Sequence, residues 1–96
     1  MTTLSPATEM ACATILRRLA LAEEHVARSV KYVAKHRARV KRLERRGKNA
    51  DHAKSVLEIV EASLLTHIAD RDKLEKELKL ALLRGPESTS RPSKNR

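Results

Sequence analysis

Four histidines are the side chains of this 96-residue chain with the most versatile chemistry, since imidazole can bind a metal or carry a proton near neutral pH. Among them, His67 lies three residues before Asp70, so both fall on one side of a helix, which His25 could approach from a second helix. A zinc site needs three or four converging ligands, and the neighbouring Arg71 would repel a cation. We therefore predict no metal and no cofactor. Instead, His67 is assigned with Ser29 and Arg71 to a polar layer between two helices.

Side chains suited to nucleophilic or acid–base catalysis do not form a recognisable site. The sequence has no glycine-rich phosphate loop and no Ser/His/Asp or Cys/His arrangement in a strand–turn–helix context. The single cysteine, Cys12, can form neither an intrachain disulfide nor a zinc-binding pattern. We therefore expect a protein that is not an enzyme and that has no small-molecule substrate.

Positive charge is concentrated in the first half of the chain, although the formal net charge of +9 belongs to the whole. Residues 6–46 carry 11 Lys or Arg against 4 Glu, whereas residues 49–83 carry 5 Lys or Arg against 7 acidic residues. Such a basic run can bind nucleic-acid phosphates. The candidate phosphate-binding residues are Lys35, Arg39, Arg42, Arg45, Arg46 and Lys48. Because Tyr32 is the only aromatic residue, binding would follow the phosphate backbone rather than the bases.

Gly47 and Asn49 mark a reversal of chain direction near the midpoint. Gly47 can adopt the left-handed conformation that ends a helix, and the cations before it suit the negative end of the helix dipole. Asn49 can cap a second helix, because its side chain accepts a backbone N–H group of the first turn. Pro6 suits the first position of the first helix, and Gly85 ends the second.

The chain therefore reads as one helical hairpin with two short flanking segments. We predict a frayed N-terminus at 1–5, helix 1 over about 6–46, a turn at 47–49, helix 2 over about 50–83, and a disordered basic tail at 84–96. No apolar run approaches the ~20 residues of a membrane span. The N-terminus also lacks the charged-then-apolar order of a secretory signal, so we expect a cytoplasmic location.

Both predicted helices carry apolar residues at alternating spacings of four and three, the pattern of a coiled-coil seam. The predicted seam core consists of Leu19, Val26, Val33, Val40, Leu57, Val60, Leu64, Leu74 and Leu78. A short turn pairs residues whose numbers add to about 96 or 97, and the two seams match in that register, as Val33 does with Leu64. The predicted fold class is all-α: two long antiparallel helices forming a helical hairpin, a coiled coil.

Apolar side chains beside the seam predict a further contact surface. Leu16 and Val30 widen the stripe of helix 1, and Val56, Ile68 and Leu82 widen that of helix 2. We expect the hairpin to dimerise into a four-helix assembly or to bind another helical protein. The first functional hypothesis is a non-enzymatic protein–protein interaction module. The alternative is a nucleic-acid-associated protein that binds the phosphate backbone through the basic half of helix 1 and the tail.

Four segments of the chain carry a resemblance to known sequences. They are His25–Arg28, Val40–Gly47, Ala53 with Leu57, and His67–Leu78. Over about residues 22–78, the chain resembles short uncharacterised bacterial helical-hairpin (coiled-coil) proteins of unknown function. The resemblance implies a hairpin and assigns no catalytic residue.

Overall fold

Two antiparallel α-helices form the hairpin in the computed structural model, which describes residues 6–84. Helix α1 is Pro6–Arg45 and helix α2 is Asp51–Arg84. At about 1.5 Å per residue, α1 is roughly 60 Å long. The two helices pack against each other, and the predicted fold class is confirmed. The segment predicted to be frayed, 1–5, and the predicted tail after Arg84 lie outside the described residues.

The end of α1 is closed by a Schellman motif around Gly47. The backbone φ of Gly47 is +66°, and its N–H donates to the carbonyl of Glu44 at 3.0 Å. The N–H of Lys48 donates to the carbonyl of Leu43 at 2.9 Å. These two hydrogen bonds satisfy carbonyl groups that have no partner inside the helix, so the chain turns here without an unpaired backbone group at these positions.

The start of α2 is capped by the side chain of Asn49. Its Oδ1 accepts a hydrogen bond from the backbone N–H of Asp51 at 2.8 Å. One turn later, the N–H of Lys54 donates to the carbonyl of Ala50 at 2.8 Å, the first backbone bond of the helix. The cap thus satisfies one of the N–H groups that the first turn leaves unpaired.

The core of the hairpin is a narrow line of small and medium side chains between the helices. Its buried apolar members are Cys12, Ala22, Val33, Val40, Ala50, Ala53 and Leu74. The other predicted seam-core residues are half-buried, namely Leu19, Val26, Leu57, Val60, Leu64 and Leu78. Among the described residues no large side chain is fully enclosed, because two helices can cover each other only along one stripe.

Two ion pairs join the helices on one side of the seam. The guanidinium of Arg37 lies 3.0 Å from the carboxylate of Glu61, and the ammonium of Lys54 lies 3.1 Å from the carboxylate of Glu44. We call this side the ion-pair flank. All four side chains are about half exposed, so each pair contributes at most about 1 kcal/mol. Their main effect is on register, since a slipped hairpin would separate both pairs.

Candidate interaction surfaces

The four histidines lie on the other side of the seam, which we call the histidine flank. His25 and His67 line one groove, of about 180 Å³, and His36 and His52 line a smaller one, of about 60 Å³. Consecutive residues of a helix are about 100° apart, so His36 and its neighbour Arg37 point to opposite sides of the seam. The histidines therefore open onto a surface separate from the two interhelical ion pairs.

The polar layer predicted at Ser29, His67 and Arg71 has a different set of contacts in the structure. The His67 ring lies against the His25 ring of the other helix, with ring centres 5.1 Å apart and planes tilted by 50°. Ser29 is buried in the same groove, but within residues 6–84 no hydrogen bond joins it to His67. Arg71 binds the neighbouring Asp72, at 3.0 and 3.2 Å.

Metal-ligating side chains do not cluster in the described part of the chain. No group of three or more His, Cys, Asp or Glu residues between 6 and 84 could hold a metal ion. Cys12, the only cysteine, is a buried member of the core and lies on α1 well before His25. Among the described residues, His25 and His67 are the one pair of imidazole rings from different helices in direct ring contact.

Basic side chains form a ridge along the exposed surface of α1 and into the turn. The basic ridge consists of Arg28, Lys31, Lys35, Arg39, Arg42 and Arg46. Because they recur every three or four residues, they point in nearly the same direction over about 27 Å of helix. The basic ridge lies next to the histidine flank, because Arg28 lines the groove of His25 and His67 and Arg39 lines the groove of His36 and His52.

The residues predicted to bind phosphate overlap with the basic ridge and have no anionic partner among the described residues. All of them are exposed: Lys35, Arg39, Arg42, Arg45, Arg46 and Lys48. Among residues 6–84, no carboxylate lies within ion-pair distance of any of the six. Glu44, the single acidic residue within the basic run, is already bound to Lys54. At the far end of the ridge, Arg28 approaches Glu24 at 4.0 Å.

The apolar residues predicted to form a second surface divide between the two flanks. On α1, Leu16 and Val30 precede Arg37 by multiples of seven residues, so they lie on the ion-pair flank. On α2, Ile68 and Leu82 follow Glu61 by multiples of seven residues, so they lie on the same flank. In contrast, Val56 lines the groove of His36 and His52 on the histidine flank. The predicted stripe is therefore not one continuous surface.

Exposure of the apolar side chains on the ion-pair flank is high. Leu16, Val30 and Leu82 are 52, 50 and 52% exposed, and Ile68 is half-buried. Further large apolar side chains are exposed on α2, and the seam pattern did not indicate them: Ile59, Leu65, Leu80 and Leu83. The sequence could have indicated them, because they lie about 100–160° around the helix from the nearest seam residue, where a solvent-exposed helix surface usually carries polar residues.

Comparisons with family models, with curated proteins and with solved structures give no match for this chain. The resemblance to bacterial helical-hairpin proteins therefore stays a prediction. Neither helix, over the residues that the structure describes, has an apolar stretch long enough to span a membrane.

Proposed function

We propose that this hairpin is a non-enzymatic interaction module of the cytoplasm, which associates with a second copy of itself or with another helical protein. The observation that carries the proposal is the exposure of Leu16, Val30 and Leu82 on the ion-pair flank of a hairpin whose core is narrow. Large apolar side chains cost free energy in water, and covering them with another helix removes that cost.

The physical case rests on how little two helices can bury. The buried core between α1 and α2 consists mostly of alanine and valine side chains, such as Ala22 and Val33, and Leu74 is its one leucine. A third or fourth helix placed on the ion-pair flank would cover Leu16 and Leu82 and enclose the half-buried Ile68. A four-helix bundle packs side chains in this way around a common core.

The test is the mass in solution of the wild type and of a Leu16→Asp, Leu82→Asp double variant. We expect the wild type to sediment as a dimer or larger species and the variant as a monomer, because each copy would have to bury two added charges in the contact. Leu21→Asp is the matched control, since Leu21 is 56% exposed but lines a groove with His25 on the other flank. A wild-type monomer that captures no helical partner would exclude the proposal.

A second candidate function is favoured by the unpaired cations of the basic ridge. Six basic side chains point the same way over about 27 Å, and most of them have no carboxylate within ion-pair distance in the described part. Such a ridge can follow a nucleic-acid strand by contacting its phosphates and releasing counterions. Because the chain has one Tyr and neither Phe nor Trp, the surface has little means of stacking on bases.

The salt dependence of binding tests this second function. Six phosphate contacts should give a slope near −5 in a plot of log affinity against log salt concentration, about −0.9 per contact. Lys35→Glu, Arg39→Glu, Arg42→Glu should abolish binding to a duplex. The matched control is Lys73→Glu, Lys76→Glu, Lys79→Glu on α2, which makes the same change in net charge. If both triple variants lost the same affinity for the duplex, binding would depend on net charge alone and not on the basic ridge.

A further inference from the structure

The contact between His25 and His67 has the dimensions of a metal-binding pair. The two rings come from different helices, and their centres are 5.1 Å apart. At the usual zinc–nitrogen distance of about 2.0–2.1 Å, two imidazoles on one ion have ring centres roughly 4.6 Å apart at a right angle and about 5.3 Å apart at the tetrahedral angle. The observed separation falls between these values, so the two rings are close enough to bind one ion.

Two of the cations near this pair have a carboxylate partner on their own helix. Arg71, the residue whose charge argues against a metal on sequence grounds, holds the carboxylate of Asp72 at 3.0 Å. Arg28, which lines the histidine groove, approaches the carboxylate of Glu24 at 4.0 Å. Both guanidinium groups thus have an anionic partner on their own helix, which lowers their repulsion of an incoming ion.

The groove next to the pair offers solvent and acidic side chains. It has a volume of about 330 Å³ and is lined by His25, with Asp70 and Glu77 from α2 and the basic residues Arg18 and Lys73. Two carboxylates and two cations leave this groove without net charge. It is wide enough for the water molecules that would fill the coordination positions left open by two imidazoles.

We propose that His25 and His67 together bind one divalent late first-row transition ion, such as Zn²⁺, Ni²⁺ or Cu²⁺, with water completing the coordination. Imidazole nitrogen suits these ions, whereas Mg²⁺ and Ca²⁺ prefer oxygen ligands. Because one ligand comes from α1 and the other from α2, the ion links the helices across the seam. It therefore binds the folded hairpin better than the unfolded chain and stabilises it.

The experiment uses the full chain, freed of metal with a chelator and then titrated with Zn²⁺ and, separately, with Ni²⁺. Calorimetry should show one ion per chain, and the melting temperature should rise with the ion and fall back on adding chelator. His25→Gln and His67→Gln should each weaken binding at least tenfold and remove the thermal shift. The matched controls are His36→Gln and His52→Gln, which change histidines of the same flank. They should keep both the binding of the ion and the rise in melting temperature.

Three outcomes would overturn the site. They are no rise in melting temperature with either ion, an equal loss in all four variants, or binding spread over several weak positions. If His67→Gln or His25→Gln fails to fold, the wild type itself gives the answer by nuclear magnetic resonance. The ring protons of His25 and His67 should then respond to Ni²⁺ before those of His36 and His52, and simultaneous broadening of all four would contradict the proposal.

Discussion

Gly47 is the residue at which backbone conformation alone should decide stability. Its φ of +66° is left-handed, and a Cβ added there would meet no atom within 4 Å. Gly47→Ala therefore adds conformational strain without any clash. We expect it to lower the free energy of unfolding by about 1–2 kcal/mol, measured by urea denaturation.

Gly47→Asn is the control for that measurement, because asparagine tolerates the left-handed region better than alanine. It should recover part of the lost stability. If the alanine and asparagine variants had the same free energy of unfolding as the wild type, the left-handed conformation of Gly47 would not contribute to the stability of the hairpin.

Asn49 should contribute through the hydrogen bond from its side chain to the N–H of Asp51 at 2.8 Å. Asn49→Ala leaves that N–H to water, and we expect a loss of about 1 kcal/mol in unfolding free energy. Circular dichroism during urea denaturation measures it. Asn49→Ser keeps an oxygen that can accept the bond and should stay near the wild type. Equal effects of both substitutions would mean that the cap contributes nothing.

At the residue scale, the conformation of the turn was predictable, whereas the contacts made by the side chains of the polar layer were not. The roles expected of Gly47 and Asn49 depend on local backbone chemistry, which a sequence shows directly. The partner of Arg71 depends on a choice of side-chain conformation between His67 on one side and Asp72 on the other. The structure has the pair with Asp72, an interaction between adjacent residues that a search for interhelical layers does not consider.

The packing between the helices should be most sensitive at Leu74. Leu74 is the largest side chain of the buried core and is 9% exposed. It lines a groove together with the buried Ala22 of α1. Leu74→Ala would leave a cavity that an alanine on the opposite helix cannot fill. We expect a loss of about 2–5 kcal/mol in unfolding free energy, which is enough to unfold much of a small hairpin.

Leu65→Ala is the matched control on the same helix, because Leu65 is 67% exposed. Its effect on a single hairpin should stay within about 0.5 kcal/mol. Thermal and urea unfolding of the two variants side by side provide the comparison. A result in which Leu65→Ala costs as much as Leu74→Ala would show that the outer surface of α2 is itself buried in an assembly.

At the scale of the elements, periodicity predicted the helices and their register but not the whole of their surfaces. The bounds of α1 and α2 differ by one residue from those predicted, because the turn takes a residue from each helix and α2 continues to Arg84. A seam pattern identifies one apolar stripe for each helix. It does not indicate residues outside that stripe, and so Ile59 and Leu65 were missed.

The whole molecule combines a narrow core with exposed apolar residues on its ion-pair flank. Charge patterning also limits the geometry of association, because the basic ridge of one copy would repel that of another. In the proposed assembly, a second copy would therefore place its own ion-pair flank against Leu16 and Leu82, and both basic ridges would face outward.

Association of this kind makes thermal stability depend on protein concentration. If a second copy covers Leu16, Val30 and Leu82, the assembly binds only folded chains, and mass action raises the melting temperature as concentration increases. We expect a steady rise over a hundredfold range of concentration, followed by circular dichroism. The Leu16→Asp, Leu82→Asp variant should melt at one temperature throughout and below the wild type, whereas Leu21→Asp should keep the dependence. If the melting temperature of the wild type did not change with concentration, the hairpin would be stable as a monomer. The exposed leucines would then be expected to contact another protein rather than a second copy.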